Sequence, residues 1–413
     1  MSGSAWTRAP GNAAAERWVT RAGCRTVLVV VPHMTAGTRL VEVLPLLRAD
    51  HRVQVLFTVP ALEDRWDGTE EYVRAWGGLL LPWHQVLRTR FDLAMAASYL
   101  EIDKIAAPVV VMPHGVSGPR FRRSPLPAER AAQPSLAHPR YRLVRDGRVV
   151  PATVLTAHEQ DARWLRRECP EAADRVVVAG DLCFDQLRAS LSLRDRYRAA
   201  LDVRSGRKLV LVSSTWSRHS LFGSNPHLLD QLTAQLPARD YQVVAALHPL
   251  TWSIHGSWQI RAWLAKALDA GLRLLPPDDG WRAALVAADY VIGDHGSITQ
   301  YAAALGTPVL LNPGSAEDVR AGSLAASVWR LAPKLRPDLL VDVQLRALAA
   351  GRPEDWVGDI AARITSLPGR AGALLRREMY RVLGIPEPPH EVQVSPVPLP
   401  RRVAVEGFVG GPP

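Results

Sequence analysis

A histidine-glycine pair stands where a buried apolar run of this sequence ends. The run Pro108–Met112 (PVVVM) is followed by Pro113, His114 and Gly115. Histidine titrates near neutral pH, and the glycine leaves space for a substrate hydroxyl, so His114 is predicted to be a general base. The alternative interpretation is a turn histidine that binds only the backbone.

A second group of polar residues lies in the stretch 281–313, whose pattern predicts helix, strand, tight turn, helix and strand. The turn at 293–297 reads GDHGS. Backbone N–H groups and the helix dipole favour an anion where a helix begins. Ser297 is predicted to cap the helix, and Gly296 lets a ligand approach the backbone. An ordinary capped turn is the other possibility.

Further polar turns follow other apolar runs. They contain His33, Thr35 and Gly37 after 26–31, Thr215, Trp216, Arg218 and His219 after 208–213, and His248 after 241–247. Ligands of parallel α/β sheets bind beyond the carboxyl ends of the strands, so we expect these residues on the ligand side.

The alternation of apolar strands and amphipathic helices predicts an α/β protein with two tandem Rossmann-like domains and an interdomain cleft. A Pro- and Arg-rich loop at 117–150 is typical of a functional lid or a mobile segment. The predicted parts are a disordered N-terminus at 1–23, an acceptor domain at 24–201, a linker at 202–207, a donor domain at 208–370, a helix at 371–386 and a disordered Pro/Gly-rich tail at 387–413.

Composition limits the partners. The 413 residues carry a net charge of +10, which favours an anionic partner such as a nucleotide or a phospholipid surface. The basic residues are spread along the chain without interleaved aromatic residues, which argues against nucleic acid. Scattered cysteines and the lack of a long apolar run or a secretory signal predict a cytoplasmic protein.

Four of these turns occur in the order in which one transferase family carries them. They are His114-Gly115 for a His-Gly-Thr turn, 214–217 (STWS) for Pro-Thr-Trp-Arg, 246–249 (ALHP) for Arg-x-His-Pro, and 288–297 (ADYVIGDHGS) for Ala-Asp-x-x-Ile-(Thr/Ser)-Asp-Tyr-Ser-Ser. Over residues 105–315 the chain therefore resembles the CDP-glycerol glycerophosphotransferases of teichoic acid synthesis, a family with the GT-B fold.

The sequence departs from that family at four positions. Gly296 replaces the first serine of the Ser-Ser pair, His295 the tyrosine, Val116 the threonine after His-Gly, and Ser217 the arginine, although Arg218 and His219 follow. Nucleotide-sugar glycosyltransferases and UDP-GlcNAc 2-epimerases resemble the same arrangement. The transferred group therefore stays open between a glycosyl and a polyol-phosphate group.

The resemblance implies a nucleotide-activated donor and a hydroxyl acceptor, with a lipid- or polymer-linked acceptor as one form. The donor diphosphate would lie at Gly296, Ser297 and Ile298, without a metal or a cofactor. The residues implied around it are Asp294, His295, Thr299 as a second hydroxyl, His248 as a phosphate contact and Thr215 as a hydrogen-bond donor. His114 would accept the proton of the attacking hydroxyl.

Three other functions remain open. A nucleotide-sugar 2-epimerase would need carboxylates for proton transfer. Gly296 and Ser217 favour a nucleotide-binding protein that has lost catalysis. A basic peripheral protein would contact anionic lipid, at the inner face of the plasma membrane, through the arginines of the 120–123 loop (Arg120, Arg122 and Arg123) and the helix at 371–384.

Overall fold

The computed structural model describes Thr7 and residues 19–63, 66–116, 138–319, 322–350 and 355–401. The chain forms two compact units. Unit 1 contains Met1–Asp185 and Thr365–Val394, and unit 2 contains Gln186–Ile364 and Ser395–Pro413. No helix within the described ranges is long and apolar enough to span a membrane.

Unit 1 is built on a parallel sheet of seven strands in the order β3-β2-β1-β4-β5-β8-β9. The strands are β1 Arg25–Val30, β2 Val53–Thr58, β3 Leu80–Leu81, β4 Leu93–Ala96, β5 Val109–Val111, β8 Pro151–Thr156 and β9 Val176–Val178. Apolar side chains of β1 pack into clusters on both faces of the sheet. A parallel sheet covered on both faces explains why its strands read as continuous apolar runs.

Among the described residues of unit 1, helices and one hairpin accompany the sheet. The α-helices are Met34–Val43, Thr69–Arg74, Trp83–Val86, Arg140–Leu143, Glu159–Glu168 and Ala371–Leu383, with Leu182–Ser190 crossing into unit 2. The hairpin pairs β6 Val144–Arg145 with β7 Arg148–Val149. Its turn residues Asp146 and Gly147 have φ of 48° and 73°, as a two-residue type I′ turn requires.

The helix Ala371–Leu383 returns to unit 1 and packs in its core. Leu375, Met379 and Tyr380 are buried there. The carboxylate of Asp185 accepts hydrogen bonds from Gly369 N at 2.7 Å and from Ala371 N at 3.1 Å. Asp185 therefore supplies the cap that the helix lacks in its own sequence.

Unit 2 repeats the architecture with a parallel sheet of five strands in the order β12-β11-β10-β13-β14. The strands are β10 Lys208–Ser214, β11 Tyr241–Leu247, β12 Arg273–Leu274, β13 Tyr290–Gly293 and β14 Val309–Leu311. The helices are Arg194–Ala200, Leu221–Ser224, Leu228–Gln235, Pro249–Trp263, Ala265–Asp269, Trp281–Ala287, Ser297–Ala304, Leu324–Leu331, Val341–Ala350 and Asp355–Ile364. The prediction of two Rossmann-like domains is confirmed.

The division by compactness differs from the predicted linker. It falls between Asp185 and Gln186, not at 202–207, because the helix Arg194–Ala200 belongs with unit 2. Arg194 and Arg198 of that helix pair with Asp289 at 3.0 Å each. A 3₁₀ turn at Leu191–Leu193 joins this helix to the preceding helix, Leu182–Ser190.

Part of the predicted disordered tail has defined contacts. Residues 387–401 have no helix or strand, but Val397 is buried, and its N–H donates to Ser190 Oγ at 2.8 Å. The carbonyl of Val397 accepts from the hydroxyl of Tyr197 at 2.6 Å. Residues 402–413 lie outside the described ranges, as does most of the predicted disordered N-terminus.

The two segments predicted to contact lipid have different outcomes. The 120–123 loop lies outside the described residues. In the helix Ala371–Leu383, Arg376 contacts Glu387 at 3.2 Å and Arg381 contacts Glu378 at 2.6 Å. The apolar side chains of this helix are buried in unit 1, and contact of its arginines with lipid stays a prediction.

Candidate active site

The loops of unit 2 that carry predicted site residues meet at the carboxyl ends of β10 and β13. These adjacent strands lie where the strand order of the sheet reverses, which is the usual ligand site of such sheets. The loop after β10 contains Thr215, and the loop after β13 contains Asp294. The two residues therefore lie close together, at the same edge of the sheet, as the sequence analysis predicted.

Asp294 ties the two loops together from inside the protein. It is fully buried, and its Oδ2 accepts from Thr215 N at 2.7 Å, Thr215 Oγ1 at 2.8 Å and Leu221 N at 3.1 Å. Its Oδ1 accepts from Gly296 N at 2.9 Å. These four bonds occupy the carboxylate, so Asp294 positions the loops and does not face a phosphate.

The same bonds change the role expected for two hydroxyl groups. Thr215 donates its one hydroxyl proton to Asp294, so it has none to donate to a ligand in this structure. Thr299 is 1% exposed, and a Cβ on Gly293 would lie 2.2 Å from its Oγ1. Thr299 therefore packs against the end of β13 and does not reach the surface as a second ligand hydroxyl.

Gly296 is the N-cap of the helix Ser297–Ala304, a position that the sequence had assigned to Ser297. A Cβ at 296 would lie 2.9 Å from Thr215 Cγ2 and 3.2 Å from Asp294 Oδ1. Glycine is therefore required by the packing between the two loops. It also provides no side chain to cap the helix, which keeps the helix start suited to an anion.

His295 and Gln300 support the turn before this helix. The amide nitrogen Nε2 of Gln300 donates to the carbonyl of His295 at 3.0 Å. His295 and Ser297 are half-buried, at the start of the helix where the donor phosphates were predicted.

His248 caps the helix Pro249–Trp263 after β11. Its Nδ1 accepts from Leu250 N at 3.1 Å, and its own N–H donates to Ser214 O at 3.0 Å. An Nδ1 that accepts must be unprotonated, so the proton of the neutral ring is on Nε2. This tautomer gives His248 an N–H group of the kind that binds a phosphate oxygen.

Further along the loop after β10, polar side chains contact one another in series. Ser217 Oγ donates to Asp318 Oδ2, and Arg218 Nε donates to His219 Nε2 at 2.8 Å. His219 Nδ1 lies 3.6 Å from Asp318 Oδ1. Ser217 thus contacts the acid itself and not the imidazole, which excludes a serine–histidine–aspartate triad here. Arg218 is exposed beside the half-buried Trp216.

The structure also adds a residue that the sequence reasoning missed in unit 2. Asn312 follows β14 directly and is 2% exposed. Its Nδ2 donates to Ser224 Oγ at 2.8 Å, and its N–H donates to Gly293 O at 2.8 Å. Asn312 could have been identified from the sequence as a polar residue that directly follows an apolar strand.

In unit 1 the structure brings two predicted histidines together. The ring centroids of His33 and His114 are 5.4 Å apart in an edge-on arrangement. His33 also stacks on Trp66 with a centroid distance of 4.7 Å. Trp66 lies in an irregular loop without any sequence pattern, and the sequence analysis therefore missed it.

His114 has the opposite tautomer from His248. Its Nδ1 lies 2.9 Å from the carbonyl of Ala97, which can only accept, so Nδ1 carries the proton and Nε2 keeps its lone pair. Although His114 reaches solvent, the protein packed around its ring disfavours the charged form and lowers its pKa. The hydrogen bond to Ala97 raises this pKa, whereas the positive charges of Arg39 and Arg142 lower it further.

The other predicted residues of unit 1 have mainly structural contacts. His33 caps the helix Met34–Val43, with its Nδ1 accepting from Ala36 N at 3.1 Å. Gly37 is a packing position, since a Cβ there would lie 2.6 Å from Tyr72 Cε1. Thr35 is half-buried with its Oγ1 enclosed, and Gly115 is half-buried beside His114.

Arg39 lies in the same helix and is held in a buried ion network. Its Nη1 contacts Glu42 Oε2 at 3.1 Å and Asp181 Oδ1 at 3.2 Å.

Within the described ranges, no group of three or more His, Cys, Asp or Glu side chains is placed to hold a metal ion.

No protein-family model matches the sequence, and no curated protein sequence matches it. Solved structures do. The wall teichoic acid polymerase TagF is similar with a TM-score of 0.56 and 12% identity, over 87% of this chain and 89% of that one. A TagF variant soaked with CDPG gives a TM-score of 0.61 at 12% identity over the same shares of the two chains. A further TagF variant gives 0.60 at 11% identity, again over 87% and 89%. The predicted GT-B fold is confirmed by this likeness.

Proposed function

We propose that the protein is a transferase that moves a glycosyl or polyol-phosphate group from a nucleotide-activated donor to a hydroxyl acceptor. The observation that carries the proposal is the opposite Nδ1 partners of two strand-end histidines. Nδ1 of His114 faces the carbonyl of Ala97, which assigns the lone pair to Nε2, as a base needs. Nδ1 of His248 faces the N–H of Leu250, which assigns the proton to Nε2, as a phosphate ligand needs.

Unit 2 is the proposed donor-binding part. His248 donates to a donor phosphate, and the phosphate lies at the start of the helix Ser297–Ala304, whose N–H groups and dipole favour negative charge. Arg218 adds an exposed guanidinium from the loop after β10, one position after the serine that replaces the family arginine. Negative charge that develops on the leaving nucleotide is stabilised by the same groups.

The sequence analysis placed three further residues around the donor phosphates, and we assign them another role: Asp294, Thr215 and Thr299. Asp294 holds the loops after β10 and β13 in register through Thr215, and Thr299 fills the space above Gly293. These three residues position the ligand groups without contacting the ligand.

The transfer step requires one group that accepts the proton of the attacking hydroxyl. The acceptor oxygen forms a bond to the transferred carbon or phosphorus atom, the bond to the nucleotide phosphate oxygen breaks, and the nucleotide leaves with the bonding pair. His114 Nε2 takes the hydroxyl proton. A general base of this kind contributes about 10²–10⁴-fold to rate. Transfer in a cleft between the two domains stays a prediction from sequence.

A thermal-shift panel of CDP-, UDP-, GDP- and dTDP-linked donors tests the proposal. The CDP-linked donor comes first because a TagF variant was soaked with CDPG. A cognate donor raises the melting temperature with increasing concentration, since it binds only the folded state. No response to any of the four donors contradicts the proposal.

Turnover then separates the transferase from its alternatives. The panel is repeated with radiolabelled donor and a range of polyol, sugar and lipid-linked acceptors, and transfer of label to the acceptor is the expected result. Epimerised sugar formed from UDP-GlcNAc without an acceptor identifies a 2-epimerase. Saturable donor binding with no product from any acceptor identifies a nucleotide-binding protein without catalysis.

A further inference from the structure

His33 and His114 follow strands that are not neighbours in the sheet of unit 1. His33 comes after β1 and His114 after β5, and β4 lies between these two strands. Their rings nevertheless meet across the end of β4, with centroids 5.4 Å apart and planes at 86°. The carbonyl of Ala97, directly after β4, accepts from Nδ1 of His114 at 2.9 Å. The imidazole of His114 is therefore held from two directions, by this carbonyl and by the ring of His33.

The ring of His33 is itself fixed and uncharged. It is 9% exposed, and its Nδ1 accepts from Ala36 N at 3.1 Å. An Nδ1 that accepts carries no proton, so the ring proton is on Nε2 and the ring is neutral. Trp66 stacks on the same ring with a centroid distance of 4.7 Å. His33 thus lacks the Nε2 lone pair that a base needs, but presents a rigid neutral surface to His114.

Burial has the largest effect on the pKa of His114. It lowers that pKa, because the protein packed around the ring disfavours the charged form. The positive charge of Arg39 lowers it further. Arg39 lies in the helix Met34–Val43 and is paired with Glu42 at 3.1 Å and with Asp181 at 3.2 Å. These ion pairs fix the guanidinium whose charge favours the neutral form of His114.

Arg142 acts on the pKa of His114 in the same direction as Arg39. Arg142 also interacts electrostatically with the hydroxyl of Tyr99, whose pKa is raised by burial, so that hydroxyl adds no negative charge near neutral pH. The hydrogen bond to the carbonyl of Ala97 opposes these effects, because it favours the protonated imidazole. The neutral ring of His33 contributes burial without charge, and it therefore belongs to the groups that keep His114 unprotonated.

We propose that His33 is a positioning residue for the base of the proposed transfer, because its neutral ring fixes the imidazole of His114 and shields it from water. The inference rests on the proposed function, in which His114 is the base. The contact between the two rings needs neither donor nor acceptor, so it can be tested on the protein alone.

NMR titration of the full chain, isotope-labelled at histidine Cε1, tests the inference without turnover. The signal of His114 is the one that is absent from His114→Asn. His33→Asn keeps an N-cap acceptor for Ala36 N but removes the ring. We expect it to raise the midpoint of the His114 titration toward 6.5, by at least about half a pH unit, since water gains access to the imidazolium.

Three further variants separate the ring from the cap. His33→Phe keeps an aromatic ring but loses the cap bond, so it should restore the wild-type midpoint of His114 and lower the melting temperature. Trp66→Leu removes the stack on His33 and should raise the midpoint by a smaller amount. The matched control is His158→Asn, because His158 caps another helix of unit 1 through its Nδ1. This control should leave the midpoint of His114 unchanged.

Kinetic measurements give a second reading of the His33→Asn variant. The acid limb of kcat/KM should move upward together with the NMR midpoint. On the pH-independent plateau, kcat should fall about tenfold, because a base that is less well aligned transfers the proton less efficiently. Donor affinity should stay constant, since the proposed donor groups belong to unit 2.

Two results overturn the inference. One is an unchanged midpoint of His114 in folded His33→Asn, and a lower kcat in that case would mean that His33 acts on the substrate directly. The other is an equal upward shift in His158→Asn, which would not come from the ring contact. If melting temperatures show that His33→Asn does not fold, the midpoint in Trp66→Leu decides in the same way. The expected shifts in a protein that transfers nothing would support the ring contact and reject only the proposed function.

Discussion

The carboxylate of Asp294 accepts hydrogen bonds from both the backbone N–H and the hydroxyl of Thr215, at 2.7 and 2.8 Å. One buried acid thereby fixes the loop after β10 to the loop after β13. These two hydrogen bonds therefore help to set the geometry of the proposed donor site.

Replacing Asp294 should destabilise the protein and weaken donor binding together. Asp294→Asn turns an acceptor of four hydrogen bonds into a group with one acceptor oxygen, which leaves buried donors unsatisfied. We expect a loss of about 3 kcal/mol in the free energy of unfolding, measured by urea titration. Thr215→Val removes only the hydroxyl and should cost about 1 kcal/mol. Wild-type stability with lost donor binding would instead make the carboxylate a ligand group.

Gly296→Ser introduces the residue of the glycerophosphotransferase motif and should nevertheless be harmful. The new Cβ would lie 2.9 Å from Thr215 Cγ2, so we expect a loss of about 1–3 kcal/mol from overpacking. Thr215→Ser keeps the hydroxyl bond to Asp294 and removes that methyl group. The double variant should therefore recover stability by more than 0.5 kcal/mol or so relative to additivity, measured in a double-mutant cycle. Additive losses would mean that the methyl contact is not the cause.

His248→Asn should separate capping from ligand binding. Asparagine is a good N-cap, so the bond to Leu250 N has a substitute acceptor, but the Nε2–H group is lost. We expect an unchanged melting temperature and donor affinity at least about tenfold lower, the size of one charge-assisted hydrogen bond. His158→Asn is the matched control, because His158 caps a helix of unit 1 in the same way, through Nδ1 at 2.9 Å from Gln160 N. Equal donor affinity in the two variants would remove His248 from the site.

His114→Asn should lower turnover at least about a hundredfold while donor affinity stays nearly constant. The comparison of kcat with the donor dissociation constant measures this separation. His51→Asn, which changes an exposed turn histidine, is the control and should have wild-type rates. A His114→Asn enzyme with normal kcat would exclude His114 as the base.

The pH dependence follows from the lowered pKa of His114. The base must be neutral, so kcat/KM should rise with pH through a pKa below the ordinary histidine value of 6.5. Stability changes in the same direction. Between 6.5 and the lowered value the unfolded chain binds more protons than the folded chain, so the free energy of unfolding falls as pH falls. An acid limb above 6.5 would contradict a lowered pKa for His114.

Much of the fold is readable from the sequence because buried parallel strands are continuous apolar runs. β11 has the bounds of the apolar run at 241–247, and the rings of His33 and His114, two residues that follow predicted strands, are neighbours. The hairpin around Asp146-Gly147 was missed within a Pro- and Arg-rich loop, although this pair is a strong turn signal. Helices Leu324–Leu331 and Val341–Ala350 were also missed.

The site was less predictable for a physical reason. Sequence spacing shows which residues follow strands but not where their hydrogen bonds go. Asp294 and Thr215 lie 79 positions apart, so the bond that turns both inward exists only in the folded unit. Trp66 and Asn312 act through contacts of the same kind, with distant ring and hydroxyl partners.

The return of the helix Ala371–Leu383 to unit 1 has a consequence for biosynthesis. The chain passes between the units after Asp185, after Ile364 and after Val394, so neither unit is one continuous segment. On the ribosome, the sheet of unit 1 emerges first but must wait for Met379 and Tyr380 to fill its core, while all strands of unit 2 emerge in the interval. A nascent chain released before residue 365 would expose that apolar surface, which makes late termination errors in this protein a source of aggregation.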